Sequence, residues 1–388
     1  MSKDKQCSCG ECSCGDGGQR VNLELNLGAA CNFRCRYCFE AGSYDDAPSA
    51  KVTTETLARF IEMVRTMVDH DVHVSISFWG GEPLLYMAEA SHVLNALVDL
   101  EGVDCLLYTN GWYLQDHSMV LAKHIDEWGE RLHIQVSHDF LPTELSNRVL
   151  PGVPNEEVER RVLDAIRWLD TMDASFSIKS TSTLDDLEHN VFQQFMNFLE
   201  FRDQLVHKER ITFGSTPDTT DTRATDKTLV GQQMNKLLVY FAEHRMVDPL
   251  FNWFAGDARK ICSAGNRSCL VDVNGDVVPC HGCLYYVQRA ELASKVRFAN
   301  IDDPDILFKI EHSFITRRQL SRSNAECQAC DAVMCFRCNA VNCRGDLERW
   351  DACNAANTCD TYRFISRYVR AYHVMRDRWL AEQGDFQN

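Results

Sequence analysis

The sequence predicts an α/β protein: a partial, open (β/α)6 barrel followed by a small cysteine-rich domain. Two observations carry this. Strand-like and helix-like periodicities alternate from residue 21 to residue 214, and from about residue 255 the chain turns to short strands, turns and cysteines. Strands alternating with helices argue for a parallel sheet. About six such units fall short of the eight of a closed barrel, so the barrel is expected to stay open.

The elements follow in order. Val21–Leu27 alternates with a strict period of two and reads as a strand. Thr53–His70 places Leu57, Phe60, Ile61, Val64, Met67 and Val68 on one helical face, with Thr53 as N-cap. Val72–Phe78, Asp104–Tyr108, Leu132–Ser137, Ser175–Ser180 and Arg210–Phe213 are the further strands. The clearest helices between them are Asn155–Leu169 and Val191–Phe201. The expected organisation is a cysteine-rich flexible tail over 1–20, the barrel over 21–214, a helical connection over 215–254, and over 255–388 a domain held by metal more than by a large apolar core. Thr361–Ala381 closes the chain as a helix with Phe364, Ile365, Tyr368, Val369 and Tyr372 on one face.

Composition narrows the function. A net charge of −16 over 388 residues is a poor basis for binding nucleic acid or an anionic membrane surface. No apolar run approaches the ~20 residues of a membrane span, and Met1–Arg20 is not a signal peptide, so the protein reads as cytoplasmic. In that compartment nineteen cysteines point to metal or cluster ligation rather than to disulfides. Four lie in Cys7–Cys14, three in Cys31–Cys38 and eleven between Cys262 and Cys359, while Cys105 stands alone and reads as a small buried hydrophobe.

In parallel α/β folds, chemistry sits on the loops after the carboxyl ends of the strands. Here those loops hold Cys31-Asn-Phe-Arg-Cys35-Arg-Tyr-Cys38, then Gly80-Gly81-Glu82-Pro83, then Thr109-Asn110-Gly111. Ser137, His138 and Asp139 end the fourth strand, and Lys179, Ser180 and Thr181 the fifth. Polar and thiol groups thus converge on one rim, which argues for an active site there. Three thiolates on one loop leave one iron of a four-iron cluster open to substrate. A zinc site completed by a distant fourth ligand is the alternative that the spacing leaves open.

The CxxxCxxC spacing, the aromatic Tyr37 before its third cysteine and Gly80–Pro83 after the second strand together resemble the radical SAM superfamily. The resemblance implies a [4Fe-4S] cluster on Cys31, Cys35 and Cys38. Its open iron would chelate S-adenosylmethionine (SAM), and one electron would cleave SAM to a 5′-deoxyadenosyl radical. It also implies that Gly80, Gly81 and Glu82 hold the methionine amino group, with Ser137 and Asp139 near the ribose and carboxylate. Asn110 and Arg148 are further candidates.

Cys262, Cys269 and Cys280, then Cys327-x2-Cys330-x4-Cys335-x2-Cys338, then Cys343, Cys353 and Cys359 resemble the SPASM extension of some of these enzymes. By that resemblance two auxiliary [4Fe-4S] clusters are expected. One would use Cys262, Cys269, Cys280 and Cys338, the other Cys327, Cys330, Cys335 and Cys359. The family's middle block is more often CxxCx5Cx3C, and Cys283, Cys343 and Cys353 are surplus alternates. Zinc-ribbon chemistry is the plain alternative. Cys7, Cys9, Cys12 and Cys14 fit neither pattern and are either an extra site or a mobile tail.

Enzymes of this type act mostly on peptides and proteins. The resemblance therefore implies a maturase that forms carbon–carbon or thioether crosslinks in a ribosomal precursor peptide. Its electron donor would be a flavodoxin or ferredoxin. About 20 residues precede the first strand, too few for a fused leader-binding domain, so a separate partner would supply that function or the core would bind the peptide directly. A sulfatase maturase carries an Asp where this chain has His281. That departure weakens formylglycine formation, although His281 can itself serve as a base or as a group hydrogen-bonded near a cluster. A non-catalytic iron–sulfur or zinc scaffold is the alternative outside enzymes.

Overall fold

A computed structural model describes residues 20–38, 50–217, 223–254, 268–281, 297–310 and 356–384. Six strands carry the barrel: β1 (Arg20–Asn26), β2 (His73–Trp79), β3 (Val103–Thr109), β4 (Leu132–Ser137), β5 (Ser175–Ser182) and β6 (Phe213–Pro217). Each pairs in parallel with its neighbour in sequence, and the row does not close: β6 and β1 are not paired. The helices between them are α1 (Thr54–Asp69), α2 (Met87–Leu97), α3 (Ser118–Trp128), α4 (Asn155–Thr171), α5 (Leu184–His189) and α6 (Val191–Arg202). This is the α/β architecture the alternating periods predict.

Alternation sets which side chains meet the helices. In β1 to β3, Val21, Leu23, Leu25, Val74, Ile76, Phe78, Val103, Cys105 and Leu107 are buried against the helical layer. The intervening positions face the barrel interior and, Leu106 apart, are polar or aromatic, among them Asn22, Glu24, Ser75, Ser77, Trp79 and Tyr108. α1 starts as expected: Thr53 Oγ1 accepts from Thr56 N at 3.1 Å.

β4 agrees with expectation at both ends, β1 and β2 are shifted by one residue, and the other three strands differ as follows. β5 runs to Ser182, β3 to Thr109, and the sixth strand is Phe213–Pro217 rather than Arg210–Phe213. Pairing with a neighbour extends a strand past its apolar run. The stretch expected as a connection is largely packed core. Ser215–Pro217 belong to β6, and Lys227–Glu243 form helix α7, which buries Val230, Met234, Leu237 and Phe241. α7 packs under the closing helix α8 (Ala356–Gly384), in which Ile365, Val369 and Tyr372 are buried. The Tyr372 hydroxyl donates to the Met246 and Val247 carbonyls at 2.8 and 2.7 Å.

Beyond α7 the chain adds strands to the other edge of the barrel. β7 (Ser268–Val271) pairs in parallel with β1, opposing Cys269 to Leu23, and β8 (Asp276–Val278) and β9 (Ala299–Asn300) follow antiparallel. The β7–β8 turn needs Gly275: its φ is +81°, and a Cβ there would lie 2.8 Å from Ile301. Asp272 closes that turn, its Oδ1 accepting from Asn274 N and Asp276 N at 2.8 and 3.0 Å.

Burial, joined by repulsion from Asp276, pushes the Asp272 carboxyl up to about 6 despite those two hydrogen bonds. Its folded value exceeds its unfolded one. Its favourable contribution is therefore complete below the unfolded value and is lost as pH rises through about 6. Asp272→Asn keeps an oxygen for both N–H donors without the charge. It is expected to stabilise the protein at pH 8 by on the order of 2 kcal/mol and to flatten the stability profile between about pH 4 and about pH 6. Urea unfolding across that range checks this; an unchanged profile would refute it.

Candidate active site at the carboxyl rim

The rim is built from the loop after β1 outward. Gly81 N donates to Gly28 O at 3.0 Å and Glu82 N to Ala30 O at 2.9 Å, so the Gly80–Pro83 loop lies flat on the segment leading into Cys31. Only glycine allows this. A Cβ on Gly80, whose φ is +136°, would stand 2.4 Å from the Gly28 carbonyl, and one on Gly81 2.2 Å from the Ala30 carbonyl. On the far side, Arg34 N and Arg36 N donate to Val149 O and Asn147 O at 2.7 and 2.9 Å. The cysteine loop is thus clamped between the second strand's loop and residues 147–149.

Glu82 is 1% exposed and is engaged by its own surroundings. Its carboxylate accepts from Thr109 Oγ1 and Asn110 N, each at 2.7 Å, and from Leu84 N at 3.1 Å. Burial holds its carboxyl above the usual value, against those three hydrogen bonds. Asn110 then reaches back: its Nδ2 donates to Asn32 Oδ1 at 2.7 Å, and its Oδ1 accepts from Trp112 N at 3.0 Å. Glu82 and Asn110 therefore tie the loops after β1, β2 and β3 into one unit.

A second network closes the other side. Arg148 Nη1 donates to the Tyr37 hydroxyl at 2.9 Å, and that hydroxyl donates to Asp139 Oδ2 at 2.9 Å. Thr181 N donates to Asp139 Oδ1 at 3.1 Å. The Arg148 guanidinium also lies over the Phe33 ring, 5.4 Å from its centroid. Burial raises the Asp139 carboxyl above the usual range, although Arg148, Thr181 and Tyr37 all oppose this. Ser137 ends β4 on the interior face, opposite Lys179.

Cys31, Cys35 and Cys38 form no disulfide and are all partly exposed at the rim. Burial, with Glu82 nearby, pushes the Cys31 thiol up to about 12. Burial, with Asp139 and the neighbouring thiol against Arg148, pushes Cys35 up to about 11. Thiolates here need compensating positive charge, which iron supplies. One buried atom supports the same group. Asn32 Nδ2, one residue from Cys31, has no hydrogen-bond partner; a cluster sulfur beside Cys31 would give it an acceptor. The residues present therefore fit a cluster held by three thiolates.

Of the cysteines in the C-terminal pattern, Cys269 is fully buried in β7 and Cys280 is buried just past β8. Burial pushes the Cys269 thiol up, with the Glu24 carboxylate adding to it. Cys262, Cys283, Cys327, Cys330, Cys335, Cys338, Cys343 and Cys353, and Cys7, Cys9, Cys12 and Cys14, lie outside the described residues. Cys359 falls in the first turn of α8, in a stretch whose side chains are not described.

His281 is brought to the barrel interior. Its N–H donates to Glu24 Oε2 at 2.8 Å, its Nδ1 lies 3.0 Å from Glu24 Oε1, and its ring stacks on Trp79 with centroids 4.1 Å apart. Burial acts to raise the Glu24 carboxyl, but the charge and hydrogen bonds of His281 prevail and hold it below the usual value. Below this layer the interior opens into a cavity of about 640 Å3, lined by Asn22, Glu24, Ser75, Ser77, Asp104 and Tyr108 among others. Glu24 and Trp79 are not singled out as site residues from the sequence. Their signal was the polar half of each strand's alternation, a pattern a buried barrel shows only if its interior receives something.

Fold and rim define an open α/β barrel that presents three cysteines beside a glycine-lined cradle. Residues 25–169 match the family model of the radical SAM superfamily, and the chain carries a radical SAM domain. Curated relatives include the GTP 3′,8-cyclases of Nautilia profundicola, 27% identical over 34% of this chain and 42% of that one, and of Aliarcobacter butzleri, 25% identical over 50% and 59%. This chain thus spans between about two fifths and three fifths of the length of these relatives. Among solved structures, anSMEcpe with bound AdoMet and the Cp18Cys peptide superimposes with a TM-score of 0.64 at 19% identity, covering 92% of this chain and 99% of that one. That likeness establishes the fold.

Proposed function

We propose that this protein is a radical SAM enzyme that oxidatively modifies a peptide held in the barrel interior, forming a carbon–carbon or thioether crosslink. The observation that carries the reading is the Cys31–Cys38 loop closed onto the Gly80–Pro83 loop by backbone hydrogen bonds at the carboxyl rim. When bound on Cys31, Cys35 and Cys38, a [4Fe-4S] cluster supplies the electron that cleaves SAM to a hydrogen-abstracting radical.

The chain's own residues orient and shield. Carbonyls of the Gly80–Gly81 turn accept the methionine ammonium, and Glu82 fixes that turn and Asn110 while adding negative charge nearby. Ser137 and Arg148 receive the carboxylate, and Asp139, with its Tyr37 hydrogen bond, borders the ribose. His281, held by Glu24 and stacked on Trp79, faces the interior as a group able to take a proton from substrate.

A peptide substrate is supported by the extent of the fold likeness, 92% of this chain, to a protein solved with a peptide. The GTP cyclase relatives align over half of the chain or less. The C-terminal cysteines are read as a SPASM unit over 255–388 with two auxiliary [4Fe-4S] clusters, Cys269 and Cys280 contributing to the first. A flavodoxin or ferredoxin would deliver the electron, and a separate protein would present the leader of the precursor peptide.

The test is anaerobic reconstitution followed by dithionite and SAM. The fully loaded enzyme is expected to release 5′-deoxyadenosine and to hold about twelve irons, or about sixteen if Cys7–Cys14 bind a fourth cluster. No 5′-deoxyadenosine from fully loaded protein would overturn the reading, and about four irons would overturn the auxiliary clusters.

A further inference from the structure

The turn after β4 holds a conformation that its residue does not favour. Phe140 has a φ of +54°, in the left-handed region that a bulky side chain rarely enters. A glycine would take it freely. A phenylalanine keeps it only where its surroundings leave no alternative, and residues held in this way cluster at ligand-binding sites. Of the non-glycine residues with positive φ among the described residues, Phe140 alone directly follows a rim residue, Asp139.

Two side chains and the packing around the ring supply the constraint. His138 Nδ1 accepts from Phe140 N at 3.2 Å, and Asn197 Nδ2, on α6, donates to Phe140 O at 2.8 Å. The Phe140 ring is buried edge-on against Phe198 and Phe213, with centroids 5.6 and 6.1 Å away. His138 is itself fixed. It is buried, and its Nε2 lies 2.8 Å from Glu159 Oε2 on α4. Accepting from Phe140 N requires a bare Nδ1, so the ring proton sits on Nε2 and is donated to Glu159. His138, Glu159 and Asn197 supply none of the hydrogen bonds to the Asp139 carboxylate, which come from the Tyr37 hydroxyl and Thr181 N. They act instead on the turn on which Asp139 stands.

We propose that His138, backed by Glu159, is a positioning residue for SAM: it locks Phe140 in the left-handed conformation and so aims the Asp139 carboxylate at Tyr37 of the cysteine loop and at the SAM ribose. A looser turn would let Asp139 leave Tyr37, and with it the network that joins this side of the rim to Arg148. A glycine turn could visit several conformations, whereas the clamped phenylalanine is held to one, which prepares the carboxylate before SAM arrives. The proposal rests on the SAM-binding reading of the rim above.

SAM itself is the probe, in equilibrium dialysis against anaerobically reconstituted enzyme, with iron content and urea unfolding measured on the same preparations. His138→Leu fills the space but offers Phe140 N no acceptor, and is expected to weaken SAM binding about tenfold at unchanged iron content. His138→Asn, whose Oδ1 can accept from the N–H two residues on, should recover to within about threefold of wild type. Adding Phe140→Gly to His138→Leu should recover affinity while lowering the urea midpoint further, because glycine takes the positive φ freely but leaves the place of the ring empty. A purely structural His138 would move affinity and stability together. If His138→Leu does not fold, Asn197→Leu, which frees the Phe140 carbonyl, carries the same expectation. Wild-type affinity in His138→Leu, or in the Asn197→Leu that replaces it, would overturn the proposal. So would lost iron, or an Asn variant as weak as the Leu variant. A wild type that binds no SAM would overturn the SAM reading as well, so the two failures are distinguishable.

Discussion

Glu82→Ala is expected to destabilise the protein by about 4 kcal/mol and to leave it unable to retain a cluster on the Cys31–Cys38 loop. Buried donors left without an acceptor cost about 1–3 kcal/mol each, and this change strands the backbone N–H groups of Asn110 and Leu84 and the Thr109 hydroxyl at once. Freed Asn110 would also release Asn32, its partner beside Cys31. Glu82→Gln keeps one oxygen but turns an NH2 toward a donor, and should fall between. Urea unfolding and iron content per chain check both. A Glu82→Ala protein with wild-type stability and iron would show that the carboxylate serves ligand alone and has no part in holding the three loops.

Gly81→Ala is expected to have the next largest effect. The added methyl would sit 2.2 Å from Ala30 O and 2.6 Å from Ala29 O, both backbone atoms that cannot swing away. The loops must separate, breaking the hydrogen bonds from Gly81 N and Glu82 N. Overpacking of this kind typically costs about 1–3 kcal/mol, with two backbone hydrogen bonds in addition. Affinity for SAM, measured on reconstituted protein, should fall more than tenfold, because the displaced carbonyls are those offered to the methionine ammonium. Unaltered SAM affinity would remove the Gly80–Gly81 turn from the binding site.

Much of the rim was legible in the sequence because it is made of local signals. A CxxxCxxC run after one period-two segment and Gly80-Gly81-Glu82-Pro83 after the next fix their own positions once the sheet is parallel. Thr53 was readable as an N-cap for the same reason: its bond reaches only to Thr56. The contacts that bridge distant segments were not legible. Tyr37 meets Asp139 across 102 residues and Arg148 across 111, and nothing in either sequence neighbourhood specifies the other. The family resemblance implies that Glu82 helps to hold an ammonium, whereas the hydrogen bonds that engage it here come from elements whose loop conformations the sequence does not state. A helix is legible within the connection over 215–254, where Lys227–Glu243 forms one, but that it is core is not, because its apolar positions follow a long polar run. Its burial becomes visible only when α8, more than a hundred residues later, covers it.

The pairing of β7 with β1 bears on how separable the two halves of this chain are. The strand that leads into Cys31 has β2 on one side and, on the other, four residues of the C-terminal unit. Cut between residues 254 and 268, the barrel would keep its six strands but acquire a raw margin at β1, the kind of open backbone that recruits other chains. Glu24 would lose the histidine that neutralises it. The segment that carries β7 is thus not cargo tied to a finished barrel. It seals the barrel's seam, and the two parts would have to be inherited, exchanged or engineered as a single piece.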